Sequence, residues 1–281
     1  MRKILLLLMT IALCLTLCSC DTLLKKAKSY ATGEEVAEMP KDYIATLEND
    51  KYVYELYETY VKLMEYKGEE TDVVIPSEID GIPVTVIGTL CFFETSITSV
   101  IIPSTIDTIE SSAFYYADEL ISIEIPDTVK SIGTRAFGWC NSLLNVTLGK
   151  GISEIPDYCF NHCVSLVSVD IPDNIKKIGS RAFSYCDSLS EQSIPMSIES
   201  VGDRAFSSCA KLEYLIFENG SVSLGNFLVH STENVVIISA ENSSAYNYCV
   251  ENCLRWSSSK AEPAIKFEKQ EEQTADGSDL L

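Results

Sequence analysis

A repeat of 23 residues constrains the fold of this chain more than any other feature. Isoleucine followed by proline recurs at Pro103, Pro126, Pro172 and Pro195, and Gly149 holds the slot midway between the second and third of these. Apolar residues recur at fixed distances from this slot. The position eleven residues after it is always phenylalanine: Phe114, Phe137, Phe160, Phe183 and Phe206.

A unit of this size cannot bury its own apolar face, but stacked copies of it bury a continuous core. The spacing Leu143-x-x-Val146-x-Leu148 is typical of a leucine-rich-repeat strand. We therefore expect each coil to add one strand to a parallel sheet, at roughly 4.8 Å per coil. Proline cannot donate to a continuing ladder, so the Ile-Pro step turns the chain out of the strand.

The unit from Ile171 to Leu189 resembles the repeat of the BspA-like leucine-rich-repeat family, and Ile75 to Val84 resembles its irregular first repeat. The resemblance implies a repeat solenoid at residues 51–256, with an N-terminal β-hairpin cap and a C-terminal helix–strand cap. The segments that resemble these caps are Tyr52 to Leu56 with Lys62 to Tyr66, and Ser244 to Asn252 with Leu254 to Trp256.

Four residues depart from the family's repeat. Gly149 replaces proline, Glu110 and Pro156 replace the usual glycine, and Gln192 occupies an apolar core position. We interpret Gln192 as a residue that faces a loop or marks a slight distortion of its coil.

The N-terminus predicts export. Met1 to Lys3 is basic, and the apolar run Ile4 to Leu17 is too short to span a bilayer, which needs roughly 20 residues. Leu17-Cys18-Ser19-Cys20 resembles the bacterial lipobox, which implies cleavage after Ser19 and a lipid on the Cys20 sulfur. An ordinary signal peptide or an uncleaved anchor is the alternative interpretation.

Four segments follow from these observations. Residues 1–19 form a lipoprotein signal peptide and residues 20–50 a lipid-anchored tether, for which a small helical domain is the alternative. Residues 51–256 form the repeat domain, and residues 257–281, rich in Glu, Gln, Ser and Asp, form a disordered acidic tail.

The charge balance restricts the partners. There are 41 acidic and 21 basic residues, a net charge of -20. A nucleic-acid binder needs a basic footprint, which this composition lacks. We expect no nucleic-acid partner, and membrane contact through the lipid anchor alone.

Cysteines recur with the repeat. Cys140, Cys163, Cys186 and Cys209 share a position that Ala117 holds one coil earlier, so the site is small and faces inward. We predict buried reduced thiols, because neighbouring side chains would point the same way and not at each other. Cys159, His162 and Cys163 do not converge as a structural zinc site requires, and we predict no metal.

Catalytic motifs are missing from the sequence. It has two histidines, and it contains no nucleophile elbow, metalloprotease helix, phosphate loop or calcium loop. We predict that the protein is not an enzyme and uses no cofactor.

One column of large rings suggests a binding surface. Tyr116, Trp139, His162 and Tyr185 lie thirteen residues after the slot in consecutive coils, and Ser208 ends the series. They form either an outward stacking strip of the residue types that dominate interfaces, or packing against the loop of the next coil.

The polar outer face of the strands is a second candidate surface. Its residues are Ser122, Glu124, Asn145, Thr147, Ser168, Asp170, Glu191, Ser193, Tyr214 and Ile216. We predict a cell-surface lipoprotein that binds a protein or glycan partner in adhesion or in host or neighbour contact. An envelope scaffold or stress component without an external ligand is the alternative.

Overall fold

The protein is described by a computed structural model, which covers residue 40, residues 42–232 and residues 234–268. The signal peptide, Cys20, most of the tether and the last thirteen residues of the acidic tail lie outside these described residues. Within the described residues, no helix has the length and apolar character needed to cross a membrane.

The repeat folds into a parallel β-solenoid, as the sequence predicts. Its coils are in register one period apart, with Asn145 opposite Ser168 and Val146 opposite Val169. Each coil contributes one strand, and in several of these strands exposed, buried and exposed residues alternate, so that the central aliphatic side chain enters the core. These strands are β4 (Asp72–Val74), β7 (Ser99–Ile101), β9 (Ser122–Glu124), β11 (Asn145–Thr147), β13 (Ser168–Asp170), β15 (Glu191–Ile194), β17 (Tyr214–Phe217), β19 (Val236–Ile238) and β20 (Arg255–Ser257).

Each central coil also carries a second, two-residue strand that the sequence analysis did not predict. These strands pair in parallel with one another. They are β8 (Thr108–Ile109), β10 (Ser131–Ile132), β12 (Glu154–Ile155), β14 (Lys177–Ile178), β16 (Ser200–Val201) and β18 (Ser223–Leu224). The first two belong to the same sheet as the strands that precede the first coil, and the last four form a sheet of their own. The second residue of most of them is buried, so these strands also contribute side chains to the core.

A stack of phenylalanine rings runs through the core. Phe92, Phe114, Phe137, Phe160, Phe183 and Phe206 are fully buried, and neighbouring ring centroids lie 4.8 to 5.5 Å apart. Each ring thus buries its faces against the rings of the adjacent coils. The stack is therefore the contact that joins one coil to the next.

Three antiparallel strands precede the first coil: β1 (Tyr43–Glu48), β2 (Tyr52–Tyr57) and β3 (Val61–Tyr66). β3 pairs in parallel with β6 (Ile82–Ile87), which also pairs with β5 (Glu78–Ile79). The rings of Tyr52 and Tyr66 contact Phe92, the first ring of the stack. These contacts are those expected of a cap, and a capping role for the strands stays a prediction.

A helix and two strands follow the last coils. Helix α1 (Ser244–Asn252) begins at Ser243, whose hydroxyl accepts a hydrogen bond from the Tyr246 N–H at 3.1 Å. Its buried Ala245 and Cys249 face the last coils. The strand β20 then joins the parallel sheet, and β21 (Ile265–Lys266) pairs with it antiparallel.

Two of the expected segment boundaries are wrong. The tether was expected to reach residue 50, but β1 begins at Tyr43, which pairs with Tyr57 of β2. The disordered tail was expected from residue 257, but residues 257–268 are folded back onto the sheet. There the Lys260 ammonium pairs with the Glu191 carboxylate at 2.5 Å.

Gln192 is buried, and it lies where the main sheet is interrupted between β13 and β15. Its amide Nε2 donates to the Val169 carbonyl at 2.9 Å, and its Oε1 accepts from the Val169 N–H at 3.3 Å. The side chain thus takes the place of the missing backbone ladder. Of the two interpretations of Gln192, a distortion of the coil is correct and a loop-facing residue is wrong.

Two other departures from the repeat also have structural reasons. A Cβ at Gly149 would collide with the Pro126 carbonyl oxygen of the preceding coil, so only glycine permits this approach. The Glu110 carboxylate forms an ion pair with the Lys62 ammonium of β3 at 2.8 Å and accepts a hydrogen bond from the Thr89 N–H at 2.9 Å. It therefore ties its coil to the N-terminal strands.

We expect Phe183→Ala to lower the free energy of unfolding by about 3–5 kcal/mol, through lost burial and the cavity left behind. Phe183 stacks on Phe160 and Phe206 at 5.5 and 5.3 Å, so the cavity would separate two halves of the stack. Chemical denaturation measures the change. Tyr185→Ala is the control, and its smaller cost is expected because Tyr185 is 45% exposed. Equal destabilisation by both changes would contradict this interpretation.

Candidate binding surface

The four rings of the predicted column form a continuous stack on the surface of the solenoid. Ring centroids are 5.2 Å apart for Tyr116 and Trp139, 3.8 Å for Trp139 and His162, and 4.2 Å for His162 and Tyr185. Interplanar angles of 6 to 21° make these contacts face to face. We call these four residues the aromatic strip.

The aromatic strip lies at the boundary between core and solvent. Tyr116, Trp139 and His162 are half-buried, and Tyr185 is exposed. The rings pack on one another and keep part of their surface in solvent. Stacking between coils thus positions the rings and leaves an accessible edge, and a binding role for them stays a prediction.

The backbone aims the aromatic strip outward. All four residues adopt left-handed φ values of 60 to 62°, a region that side chains other than glycine rarely occupy. Backbone hydrogen bonds between coils hold them there, for example from the Trp139 N–H to the Asn161 carbonyl at 2.8 Å. The turn thus places the residue thirteen positions after the proline slot at the surface. The next residue, which is cysteine in most coils, enters the core.

A second column with left-handed φ lies four residues earlier in each coil, and the sequence analysis missed it. Arg135, Tyr158, Arg181 and Arg204 have φ values of 54 to 59°. We call these four residues the arginine column. The recurring Arg-Ala-Phe triplet, at 135–137, 181–183 and 204–206, is the signal that could have revealed it.

Cation–π contacts order the arginine column. The guanidinium carbons of Arg135 and Arg181 lie 4.4 and 5.3 Å from the centre of the Tyr158 ring, one in the coil before it and one in the coil after. Arg181 also donates a hydrogen bond to the Tyr158 hydroxyl. Arg204 lies over the Phe227 ring at 4.8 Å. Such stacking holds each guanidinium plane in place.

A groove of about 410 Å³ runs between the two columns. Its lining includes Tyr158, Arg181 and Arg204 of the arginine column and His162 and Tyr185 of the aromatic strip, together with Ser208, His230 and Ser231. The groove floor consists of small polar residues, with Asn161, Ser184 and Ser207 in consecutive coils. The Ser184 and Ser207 hydroxyls hydrogen-bond at 2.8 Å, and the Asn161 amide donates to the Ser184 carbonyl at 3.1 Å.

His162 belongs to both the strip and the groove. Burial lowers the pKa of its imidazole below the usual value, against the opposing effect of the Asp187 carboxylate. Its Nδ1 hydrogen-bonds to Asn161 Oδ1 at 2.8 Å. The ring is therefore mostly neutral at pH 7 and stacks between Trp139 and Tyr185 as an uncharged aromatic group.

The second candidate surface is where the sequence placed it. Most residues of the outer strand face are exposed, while Glu191, Tyr214 and Ile216 are half-buried. The folded C-terminal segment approaches this end of the face, where the Lys260 ammonium lies 5.6 Å from the Tyr214 ring centre. Most of its residues are polar, and it has no stack of rings comparable to the aromatic strip.

The four cysteines that recur with the repeat are buried, and each thiol hydrogen-bonds to the backbone of the preceding coil. The sulfurs of Cys140, Cys163, Cys186 and Cys209 donate at 3.1 to 3.2 Å to phenylalanine carbonyls in the preceding coil. Thr232 continues the ladder with its hydroxyl, at 3.3 Å from the Phe206 carbonyl. Cysteine is therefore a hydrogen-bond donor here as well as a small packing residue.

The thiols are poor nucleophiles in the folded protein, since only the thiolate reacts. Burial raises the pKa of Cys163 and of Cys209 to about 12. The same cause raises the pKa of Cys140 and Cys186 well above the usual value. In the part of the chain that the structure describes, no three histidine, cysteine or acidic residues are grouped to hold a metal ion.

We expect Cys140, Cys163, Cys186 and Cys209 to be reduced thiols that resist alkylation in the native protein at mildly alkaline pH. Half-buried Cys253 provides the reactive internal control. After unfolding without reductant, all four should become labelled, as read by peptide mass spectrometry. A crosslink between Cys163 and Cys186, or between Cys186 and Cys209, would refute the prediction.

The chain matches the family model described as "BspA type Leucine rich repeat region" in six copies, over residues 69–190, 107–236 and 176–268. No curated protein matches it.

Solved structures of bacterial proteins share the fold. A leucine-rich-repeat protein of T. pallidum is 31% identical with a TM-score of 0.60, over 66% of this chain and 87% of that one. A leucine-rich-repeat protein of Eubacterium ventriosum is 23% identical with a TM-score of 0.58, over 74% of this chain and 56% of that one. The second likeness concerns the fold alone.

Proposed function

Because the chain belongs to the BspA-type leucine-rich-repeat family, we propose that it is a cell-surface lipoprotein whose aromatic strip binds a protein or glycan partner. Stacked repeats provide extended surfaces that suit such binding. Adhesion, or contact with a host or a neighbouring cell, is the process that this surface would serve.

The aromatic strip is the observation that carries the proposal. Four rings in consecutive coils stack at 3.8 to 5.2 Å and retain accessible edges beside a groove. Stacked rings lose little conformational freedom when a partner binds, because their side chains are already held. Large aromatic residues also dominate the energetics of interfaces.

Two sequence features support the location. The lipobox-like segment ending at Cys20 is preceded by a basic and an apolar segment in the order of a lipoprotein signal. A net charge of -20 disfavours adsorption to anionic lipid, so the anchor would hold the domain while its surface stays free.

Tyr185→Ala should weaken binding of the purified ectodomain to cells or glycans from its natural environment by at least about tenfold, if Tyr185 acts as an interface anchor. The control is Tyr214→Ala, the same change on the second candidate surface. Flow cytometry with labelled protein, together with a glycan array, measures both. If Tyr214→Ala weakens binding and Tyr185→Ala does not, the strand face is the binding surface. If neither substitution weakens binding, the result favours a scaffold without an external ligand.

Cys20→Ala should release the protein from the membrane fraction, because the sulfur that carries the lipid is removed. Cys18→Ala is the control and should leave the protein anchored, since bulky Leu17 would precede a cut at that position. Fractionation and immunoblotting measure the distribution. Unchanged anchoring of Cys20→Ala would refute the assignment of Cys20.

A further inference from the structure

We propose that the groove between the arginine column and the aromatic strip binds an acidic polysaccharide that carries one carboxylate on each sugar ring. The inference rests on the proposed binding function and names its ligand class. It assigns the charge recognition to Arg181 and Arg204, and the sugar-ring contact to Tyr185.

Charge is the first argument. The chain holds five arginines against 41 acidic residues, yet three of the five stand in the arginine column. Among the residues that the structure describes, no carboxylate forms a salt bridge with Arg135, Arg181 or Arg204. A positive strip without counter-charges on so acidic a protein is therefore a place for an anion.

Asp157 and Asp203 form no ion pair with these arginines, and one oxygen of each carboxylate has another partner. Asp157 Oδ1 accepts the Ser180 N–H, and Asp203 Oδ1 accepts the Asn226 N–H, both at 2.7 Å. These contacts join one coil to the next. The two carboxylates thus serve the backbone of the solenoid.

Guanidinium geometry favours carboxylate as the anion. The guanidinium carbons of Arg181 and Arg204 lie 5.3 and 4.8 Å from the ring centres of Tyr158 and Phe227. A guanidinium carries its N–H donors in its own plane, where they can bind a carboxylate with two parallel hydrogen bonds. Both arginines line the groove, so the charged end of a ligand would meet them there.

The rest of the groove suits a sugar. One face of a pyranose ring presents C–H groups, which pack on an aromatic ring such as Tyr185. Hydroxyls of the sugar require donors and acceptors, and the groove offers them from half-buried Asn161 and Ser208 and from exposed Ser231. An aromatic wall, a polar floor and a charged wall therefore match three distinct parts of one ring.

Periodicity separates a polysaccharide from a peptide. Coils repeat at roughly 4.8 Å, close to the length of one sugar unit in a linear chain. An extended peptide advances by about 3.3 Å per residue, and neither this distance nor its double fits the coil spacing. A carboxylate on every ring would thus meet the guanidiniums of Arg181 and Arg204, which stand in consecutive coils.

Calorimetric titration of the full ectodomain with short oligogalacturonate tests the inference. Its fully methyl-esterified form is the matched neutral ligand, and short poly-glutamate is the peptide competitor. The test variant is Arg181→Gln with Arg204→Gln, and Arg255→Gln outside the groove is the control. Melting curves of all variants verify folding.

Oligogalacturonate should bind, the ester should bind at least about tenfold more weakly, and the double variant should lose at least about tenfold in affinity. Arg255→Gln should bind as the unchanged protein does. No binding of oligogalacturonate, equal affinity for the ester, or an unaffected double variant overturns the inference. Arginine-dependent binding of poly-glutamate alone also overturns it, in favour of an acidic peptide.

These outcomes differ from a failure of the proposed function. If Tyr185→Ala weakens binding to cells while the double variant has no effect, the aromatic strip binds a partner and the acidic ligand class is wrong. If neither change affects binding to cells or to oligogalacturonate, both proposals fail.

Discussion

The face-to-face stacking of phenylalanine between coils is the interaction on which the rest of this structure depends. A single coil has one phenylalanine ring in the core and too little chain to cover both faces of that ring. Each ring from Phe114 to Phe183 is therefore buried only when coils lie on both sides of it. The end ring Phe92 meets Tyr52 and Tyr66 of the N-terminal strands in place of a preceding coil. The stacking of phenylalanine between coils fixes the 23-residue period of the repeat, because an insertion in one coil would displace its ring from the stack.

Side chains on the outer surface repeat with the same period as those of the core. Two left-handed residues in each coil, such as Arg181 and Tyr185, turn the chain so that the intervening Ala182 and Phe183 enter the interior. Whatever side chain occupies these outward positions is repeated at the coil spacing. The aromatic strip, the arginine column and the groove between them are therefore arrays, and they suit ligands that are themselves periodic.

Much of the fold could be predicted from the sequence, because periodic burial leaves a periodic record in residue type. The phenylalanine and cysteine columns, the parallel strands and the ring column were all visible in this way. The left-handed arginine column was missed, since arginine at 135, 181 and 204 with tyrosine at 158 is not an apolar pattern, and the repeated Arg-Ala-Phe triplet was its one signal. The role of Gln192 depends on a break in the sheet, and the strand at Tyr43–Glu48 depends on pairing with β2, and both are non-local facts. The groove needs side-chain positions from four coils, which a one-dimensional pattern does not contain.

The thiol ladder makes folding a matter of redox chemistry as well as of packing. In the folded chain Cys140, Cys163, Cys186 and Cys209 are enclosed and occupied as donors, and burial keeps them protonated. In the unfolded chain nothing desolvates them, so their acidity returns to that of an ordinary cysteine and they become open to oxidation and to pairing with one another. A chain that reaches an oxidising compartment must therefore stack its coils before its sulfurs react. Any substitution that loosens the stack lengthens the time during which mispairing can trap the protein.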